Sequence, residues 1–217
     1  MTKQFDTILF DLDGTLVDSG EGIMKSAQYA LDKLGIHVDD WHALRPFVGP
    51  PLEDSFKDFY NLDDQQAELG VEGYRERYFA TGVYEQKEYP GVYEFLEELR
   101  SRGYRLALAT SKMQQLAKKV TEEIFHLADH LDYVFGRDDE GIRHTKADVI
   151  NYGLATMGIT DRSRVLMVGD RKFDINGAKE CGLTSVGVLF GYGDHEELQA
   201  AGADYICSSY DEILALL

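Results

Sequence analysis

The chain has 217 residues, with 44% hydrophobic and 28% charged, and its 22 basic against 39 acidic residues give a formal net charge of −17. This is the composition of a globular chain large enough to bury a core without disulfides or structural metal, rather than that of a disordered chain. A surface this acidic repels phosphate backbones and anionic headgroups, so neither nucleic acid nor membrane is expected as a partner, and no apolar run is long enough to span a bilayer.

Residues 1–10 lack a basic stretch followed by a long apolar one, so a cytoplasmic location is expected. Cys181 and Cys207 match no paired metal spacing and read as free thiols. The histidines are scattered singly, which argues against a histidine-ligated zinc.

In chain order, residues 7–11 (TILFD) read as an apolar strand. The next convincing strand is 105–110 (RLALAT), too distant for one simple crossover, so a segment is inserted between them. The insertion reads as helical. Ile23, Ala27, Ala30, Leu31 and Leu34 fall on one face of a 3.6-residue period, with Gly35 as a stop. Leu52, Ser55, Phe56 and Phe59 repeat the spacing, and a third stretch carries Leu69, Tyr74, Tyr78 and Phe79. Residues 18–87 therefore form a small helical bundle joined to the rest through flexible segments. Beyond it, strands at 133–135, 164–168, 185–189 and 205–207 alternate with helices: one from Val92 ending at Gly103, one through Leu116, Val120 and Ile124, one at 146–157, one running to Cys181-Gly182 and one at 212–217. Such alternation implies an α/β fold with a mostly parallel, doubly wound sheet. Ligands bind such sheets at the carboxyl ends of the strands, near a reversal in strand order.

Four of these strand ends carry chemistry. Asp11 and Asp13 sit in Asp11-Leu12-Asp13-Gly14-Thr15, directly after TILF. Thr110-Ser111 closes RLALAT, Lys146 opens a helix after His144-Thr145, and Asp170 and Asp174 follow the strand RVLMV. Taken singly, each has a structural reading: an Asx turn, a helix cap at Thr110, a solvated lysine, and acids favouring a helix dipole. Taken together, four carboxylates in one place raise each other's pKa values unless a divalent ion sits among them. Oxygen ligands without His or Cys suit Mg²⁺. A metal beside a lysine, a hydroxyl and backbone N–H donors suits a phosphoryl group.

Phe10-Asp11-Leu12-Asp13-Gly14-Thr15-Leu16, then Thr110, Lys146, and Gly169-Asp170 with Asp174, resemble in that order the four motifs of the haloacid dehalogenase superfamily. The helical insertion straight after the first strand resembles its phosphoglycolate phosphatase-like branch. The resemblance implies a Rossmann-like core with strand order 5-4-1-2-3, formed by residues 1–17 and 88–217, and a helical cap at 18–87. It implies a Mg²⁺-dependent phosphatase of small phosphate monoesters acting through an aspartyl phosphate. Asp11 would be nucleophile and metal ligand. Asp13 would be general acid, then base, with its backbone carbonyl on the metal. Thr110 and the Ser111 N–H would hold the phosphoryl oxygens, Lys146 would neutralise charge, Asp170 would ligate Mg²⁺ directly, and Asp174 would do so directly or through water.

The segment Arg45-Pro46-Phe47-Val48-Gly49-Pro50-Pro51 resembles the position of a specificity loop, so Arg45 and Gly49 are candidate substrate contacts, whereas Trp41 and Phe47 read as cap core. The spaced glycines from Gly187 to Gly193 lack the dinucleotide fingerprint and read as a turn near the site's edge. Phosphoglycolate is the leading substrate. A 5′-nucleotidase acting on nucleoside monophosphates, a sugar phosphomutase, and a phosphorylated signalling module are the alternatives, and a monomer is the default.

Overall fold

The structure, a computed structural model, describes residues 4–138 and 142–217. Part of the N-terminal stretch read for a signal, and of the 1–17 core segment, lies outside the described residues.

The elements run in chain order from strand β1 (Thr7–Phe10) and the short strand β2 (Val17–Asp18) to helices α1 (Gly20–Lys33), α2 (Leu52–Tyr60) and α3 (Asp64–Ala80). A short strand β3 (Lys87–Glu88) and helix α4 (Val92–Ser101) lead to β4 (Arg105–Met113) and α5 (Gln114–Lys118). Then follow β5 (Tyr133–Arg137), α6 (Lys146–Thr156), β6 (Val165–Gly169), α7 (Lys172–Glu180) and β7 (Thr184–Val188). The last three are α8 (His195–Ala201), β8 (Tyr205–Cys207) and α9 (Tyr210–Leu216). The chain divides into two compact units, Met1–Val17 with Glu88–Leu217, and Asp18–Lys87.

In the first unit six strands form a parallel sheet in the order β5-β4-β1-β6-β7-β8. Counting β1, β4, β5, β6 and β7 as strands one to five, this is the expected order 5-4-1-2-3, extended by β8 beyond the fifth. β1 and β6 are apolar but for Thr7 because both faces are covered: every residue of the two strands is buried. Leu9, Ala107, Met167, Ile150 and Ala178 pack one face against α6 and α7. On the other face the Phe10 ring meets Phe95 edge-on, and Phe95 stacks on Tyr210 with centroids 4.4 Å apart. The chain leaves β1 for β4 on one side and takes up β6 on the other. The reversal therefore falls at β1 and β6, whose carboxyl ends carry Asp11 and Asp170.

The sequence expectations depart from the structure at definable places. Strand β4 does not stop at Thr110 but continues to Met113, through an irregularity in its pairing with β5 between Ala109 and Met113. Thr110 is therefore not a helix cap; Met113 precedes α5. The helix expected through Ile124 becomes a π-helix over Lys119–Ile124, where the Thr121 hydroxyl donates to the Ala117 carbonyl at 2.9 Å and competes with the helical ladder. Helix α8 was not expected: only Leu198 is buried along it, so no apolar stripe marks it, and its signal is the Asp194 side chain accepting from the Glu197 N–H.

In the Asp18–Lys87 unit, α1 packs against α3 and a 3₁₀ helix at Trp41–Phe47. Phe59, Leu69 and Phe79, expected inward, are 46%, 49% and 38% exposed. The inward stripe of α3 is instead Ala67, Gly70, Gly73, Tyr74 and Tyr78, so Leu69 and Phe79 each fall one residue off it. Phe47 is buried, 5.1 Å from the Phe56 ring, and Trp41 is half-buried beneath Lys25. The segment matched to a specificity loop is helical at Arg45–Phe47. The connecting segments read as flexible include β2 and β3, which pair as a two-stranded sheet. No helix of the described residues is long and apolar enough to cross a membrane. Cys181 and Cys207 are free and buried.

Candidate active site

The site grows from the end of β1. The Asp11 N–H still donates to the Val168 carbonyl of β6 at 2.9 Å, so the sheet fixes its backbone. The chain then turns: the Leu12 carbonyl accepts from the N–H groups of Thr15, Leu16 and Val17, and Gly14 takes φ +81°. A side chain at Gly14 is excluded twice, because φ is positive and because an added Cβ would lie 2.1 Å from Asp170 Oδ2. The tight turn keeps Asp11 and Asp13 at the same sheet edge.

From β6 the chain reaches Asp170 and then α7. Asp174, in the first turn, accepts from the Arg171 N–H through Oδ2 at 3.0 Å. One carboxylate oxygen from each of Asp11, Asp170 and Asp174 lies within 4.8 Å of the others, and all three residues are buried. Lys146 opens α6, whose start is held by the Thr145 hydroxyl accepting from the Asp148 N–H. This aims Lys146 inward rather than into solvent. Its Nζ donates to the Ala109 carbonyl at 3.1 Å and forms ion pairs with Asp11 Oδ1 at 2.8 Å and Asp174 Oδ1 at 2.7 Å, which surrounds the ammonium with three oxygens.

Burial and like charge set the electrostatics. Desolvation pushes Asp11 up to about 6 against the pull of Lys146, with Asp174 and Asp13 adding to the rise. Asp170 is held well above the usual carboxylate range by burial and by the charges of Asp174 and Asp11, against a hydrogen bond from the Tyr192 N–H. Burial disfavours the charged form of Lys146, but Asp11 and Asp174 outweigh it and hold the ammonium firmly protonated. Three buried carboxylates against one lysine are a site short of positive charge. Asp170 Oδ1 is buried with no hydrogen-bond partner, although its Oδ2 accepts from Tyr192 at 2.7 Å. Asp11 Oδ1 and Asp174 Oδ1 are likewise buried without a hydrogen bond, held only by the Lys146 charge, and an all-carboxylate donor set with such oxygens fits a hard divalent cation.

Asp13 faces a different cation. Both its oxygens accept from Lys112 Nζ at 2.8 Å, and the side chains are 13% and 6% exposed. The Lys112 N–H in turn donates to Thr110 Oγ1 at 3.2 Å, with Thr110 buried and Ser111 half-buried at the carboxyl end of β4. The structure thus gathers Asp11, Lys146, Asp170 and Asp174 directly, and places Asp13, Thr110 and Ser111 at the same sheet edge. Arg45 and Gly49 lie on the other unit. Arg45 is exposed on the 3₁₀ helix, and Gly49 has φ +109°.

Sequence reasoning missed two contributors. Lys112 shares a strand face with Thr110, a signal visible only if β4 is carried past Thr110. The turn after β7 does more than reverse the chain: the Tyr192 N–H binds Asp170, and a Cβ on Gly191 would lie 2.4 Å from Asp170 Cβ. The glycines flanking Tyr192 were its signal.

Comparisons with known proteins identify the family. The family model of the haloacid dehalogenase-like hydrolases matches residues 8–188. A 5′-nucleotidase from Pseudomonas aeruginosa is 38% identical over 94% of this chain and 92% of its own length. The tyrosine-protein kinase PtkA of Mycobacterium tuberculosis is 36% identical over 86% of this chain and 62% of its own. A phosphoglycolate phosphatase from Vibrio parahaemolyticus is 30% identical over the whole of this chain and 98% of its own. A crystal structure of a "predicted phosphatase" from Clostridium acetobutylicum superposes with a TM-score of 0.94, at 41% identity over 99% of this chain and all of that one. Fold, motif order and buried acid cluster together place the chain in the haloacid dehalogenase-like hydrolase family, on its phosphoglycolate phosphatase-like branch.

Proposed function

We propose that the protein is a Mg²⁺-dependent phosphatase that hydrolyses small phosphate monoesters through an aspartyl phosphate on Asp11. One observation carries this reading. Asp11 is buried at the end of β1, 2.8 Å from the Lys146 ammonium, and its carboxylate stands in a three-acid cluster. A carboxylate nucleophile meets a phosphate dianion only where positive charge is supplied. Asp11, Asp170 and Asp174, with the Asp13 backbone carbonyl, would hold Mg²⁺, which when bound withdraws charge from the phosphoryl oxygens.

The protein's own groups do the rest. An Asp11 oxygen attacks phosphorus as the ester P–O bond breaks, and Asp13 gives the departing alkoxide its proton. Thr110 Oγ1 and the Ser111 N–H hold phosphoryl oxygens, and Lys146 balances the charge on Asp11 and on the group in flight. Water then attacks the phosphorus of the acyl phosphate, Asp13 takes its proton, and the P–O bond to Asp11 breaks to release inorganic phosphate. The Asp18–Lys87 unit serves as a cap that reads the rest of the substrate, with Arg45 and Gly49 as its contacts.

Phosphoglycolate is one substrate this reading names. A second, nucleoside 5′-monophosphates, is favoured by the higher identity to the P. aeruginosa 5′-nucleotidase, 38% against 30% for the V. parahaemolyticus phosphoglycolate phosphatase. Phosphate release from phosphoglycolate, nucleoside 5′-monophosphates, sugar phosphates and p-nitrophenyl phosphate, each with Mg²⁺ and with EDTA, tests both. Release that needs Mg²⁺ is expected. No release from any ester refutes the phosphatase, and conversion of a sugar phosphate to its positional isomer identifies a mutase.

A further inference from the structure

We infer that Lys112 is a positioning residue of this reaction: by gripping both oxygens of Asp13 it fixes the carboxylate that exchanges protons with the leaving group. The inference rests on the phosphatase reading.

Four observations carry it. Lys112 lies in the irregular stretch of β4, where the pairing with β5 shifts between Ala109 and Met113. Such irregularities re-aim side chains beside active sites. Its ammonium meets Asp13 at 2.8 Å to each oxygen, with both side chains largely withdrawn from water. The Lys112 N–H anchors to Thr110 Oγ1, which ties its backbone to the hydroxyl proposed to hold phosphate. Finally, Asp13 stands two residues from Asp11 in the turn after β1, so the orientation of its carboxylate decides where it can deliver a proton.

The physical reason is geometric. The terminal torsion of an aspartate is broad and roughly two-fold, so an unheld carboxylate samples many planes. A cation bonded to both oxygens removes that freedom. Each oxygen keeps further acceptor capacity, so one of them can take up a proton in transit while the other stays bound to Lys112. Misplacing an acid by about 1 Å costs on the order of 10²-fold in rate. Lys146 is committed to Asp11 and Asp174, so the two lysines divide the work: one compensates charge at the nucleophile, the other orients the acid.

The test uses leaving groups. p-Nitrophenolate departs as a stable anion, whereas the alkoxide of phosphoglycolate needs a proton. Values of kcat/KM, with Mg²⁺, are measured for both esters with wild type, Lys112→Met, Asp13→Asn and the double variant, and folding is checked by thermal melting. Lys112→Met is expected to lose about 10²-fold on phosphoglycolate and at least about tenfold less than that on p-nitrophenyl phosphate. Asp13→Asn should shift the ratio in the same direction, and adding Lys112→Met to it should change the ratio no further.

Equal losses on both esters would mean that Lys112 holds the phosphoryl group itself, and would overturn the inference. So would a further loss in the Asp13→Asn background. Should wild type prefer a nucleoside 5′-monophosphate, that alkyl ester takes the place of phosphoglycolate; wild type that releases no phosphate from any of these esters overturns the phosphatase reading and the inference with it, a result distinct from the other two because there wild type is active. Should Lys112→Met not fold, Lys112→Gln makes the same comparison.

Discussion

Asp170→Asn is expected to make the metal-free protein more stable while abolishing its stabilisation by Mg²⁺. Asp170 is fully buried, and its carboxylate shares a space in which acidic oxygens of Asp11 and Asp174 lie within 4.8 Å. At that separation and an effective dielectric near 20, each pair of like charges repels by about 3 kcal/mol. Lys146, bonded to Asp11 and Asp174, offsets part of this, which leaves a net penalty of about 2–4 kcal/mol that an isosteric amide removes. The amide oxygen can still accept from the Tyr192 N–H that now binds Asp170 Oδ2.

Urea unfolding at pH 8 in EDTA should therefore place Asp170→Asn about 2–4 kcal/mol above wild type, or about 5–15 °C higher in melting temperature for a chain of this length. With Mg²⁺ at about a hundred times its dissociation constant, wild type gains about 2.7 kcal/mol and the variant close to nothing. An Asp170→Asn protein less stable than wild type in EDTA would refute the reasoning, since it would mean that the carboxylate is stabilised in the fold rather than strained there. The trade is a familiar one at catalytic centres, where groups needed for function are held at a cost to stability.

Other outcomes follow from the same geometry. Asp11→Asn should reduce phosphate release to background while far-UV circular dichroism stays native. Because the folded pKa of Asp11 is raised from 3.8 to about 6, the protonated form stabilises the metal-free fold below pH 4, and about 3 kcal/mol of stability is lost as pH rises through 6. The difference between wild-type and Asp11→Asn unfolding in EDTA should trace that loss between pH 4 and 6; a pH-independent difference would contradict it. Lys146→Met leaves Asp11 and Asp174 buried without their cation, so it should cost about 3–5 kcal/mol in EDTA and abolish turnover in steady-state assays. Gly14→Ala should weaken Mg²⁺ binding measured by titration calorimetry and lower the melting temperature, since its Cβ would enter the Asp170 carboxylate at a positive φ.

Much of this protein was legible along the chain because its chemistry sits where periodicity breaks. Asp11 and Asp170 stand out as charges placed directly after the apolar strands TILF and VLMVG. Lys146 follows a threonine cap, and these short-range signals need no partner to be read. The parallel sheet and its strand order also followed, from alternation and from the resemblance carried by the motifs.

What the chain order could not supply was which groups meet. Lys112 and Asp13 are 99 residues apart, and their bond depends on β4 continuing past Thr110, which its pairing with β5 sustains. Tyr192 and Asp170 meet through a backbone N–H, a donor that every residue but proline carries and that therefore leaves no mark in side-chain pattern. The inward face of α3 takes Ala67, Gly70 and Gly73 beside the expected Tyr74 and Tyr78, rather than Leu69 and Phe79, because helix packing rewards close approach as well as apolar bulk. Strand ends announce themselves locally, whereas a carboxylate's pKa and its partner are properties of the folded neighbourhood, where desolvation and distance set the energy.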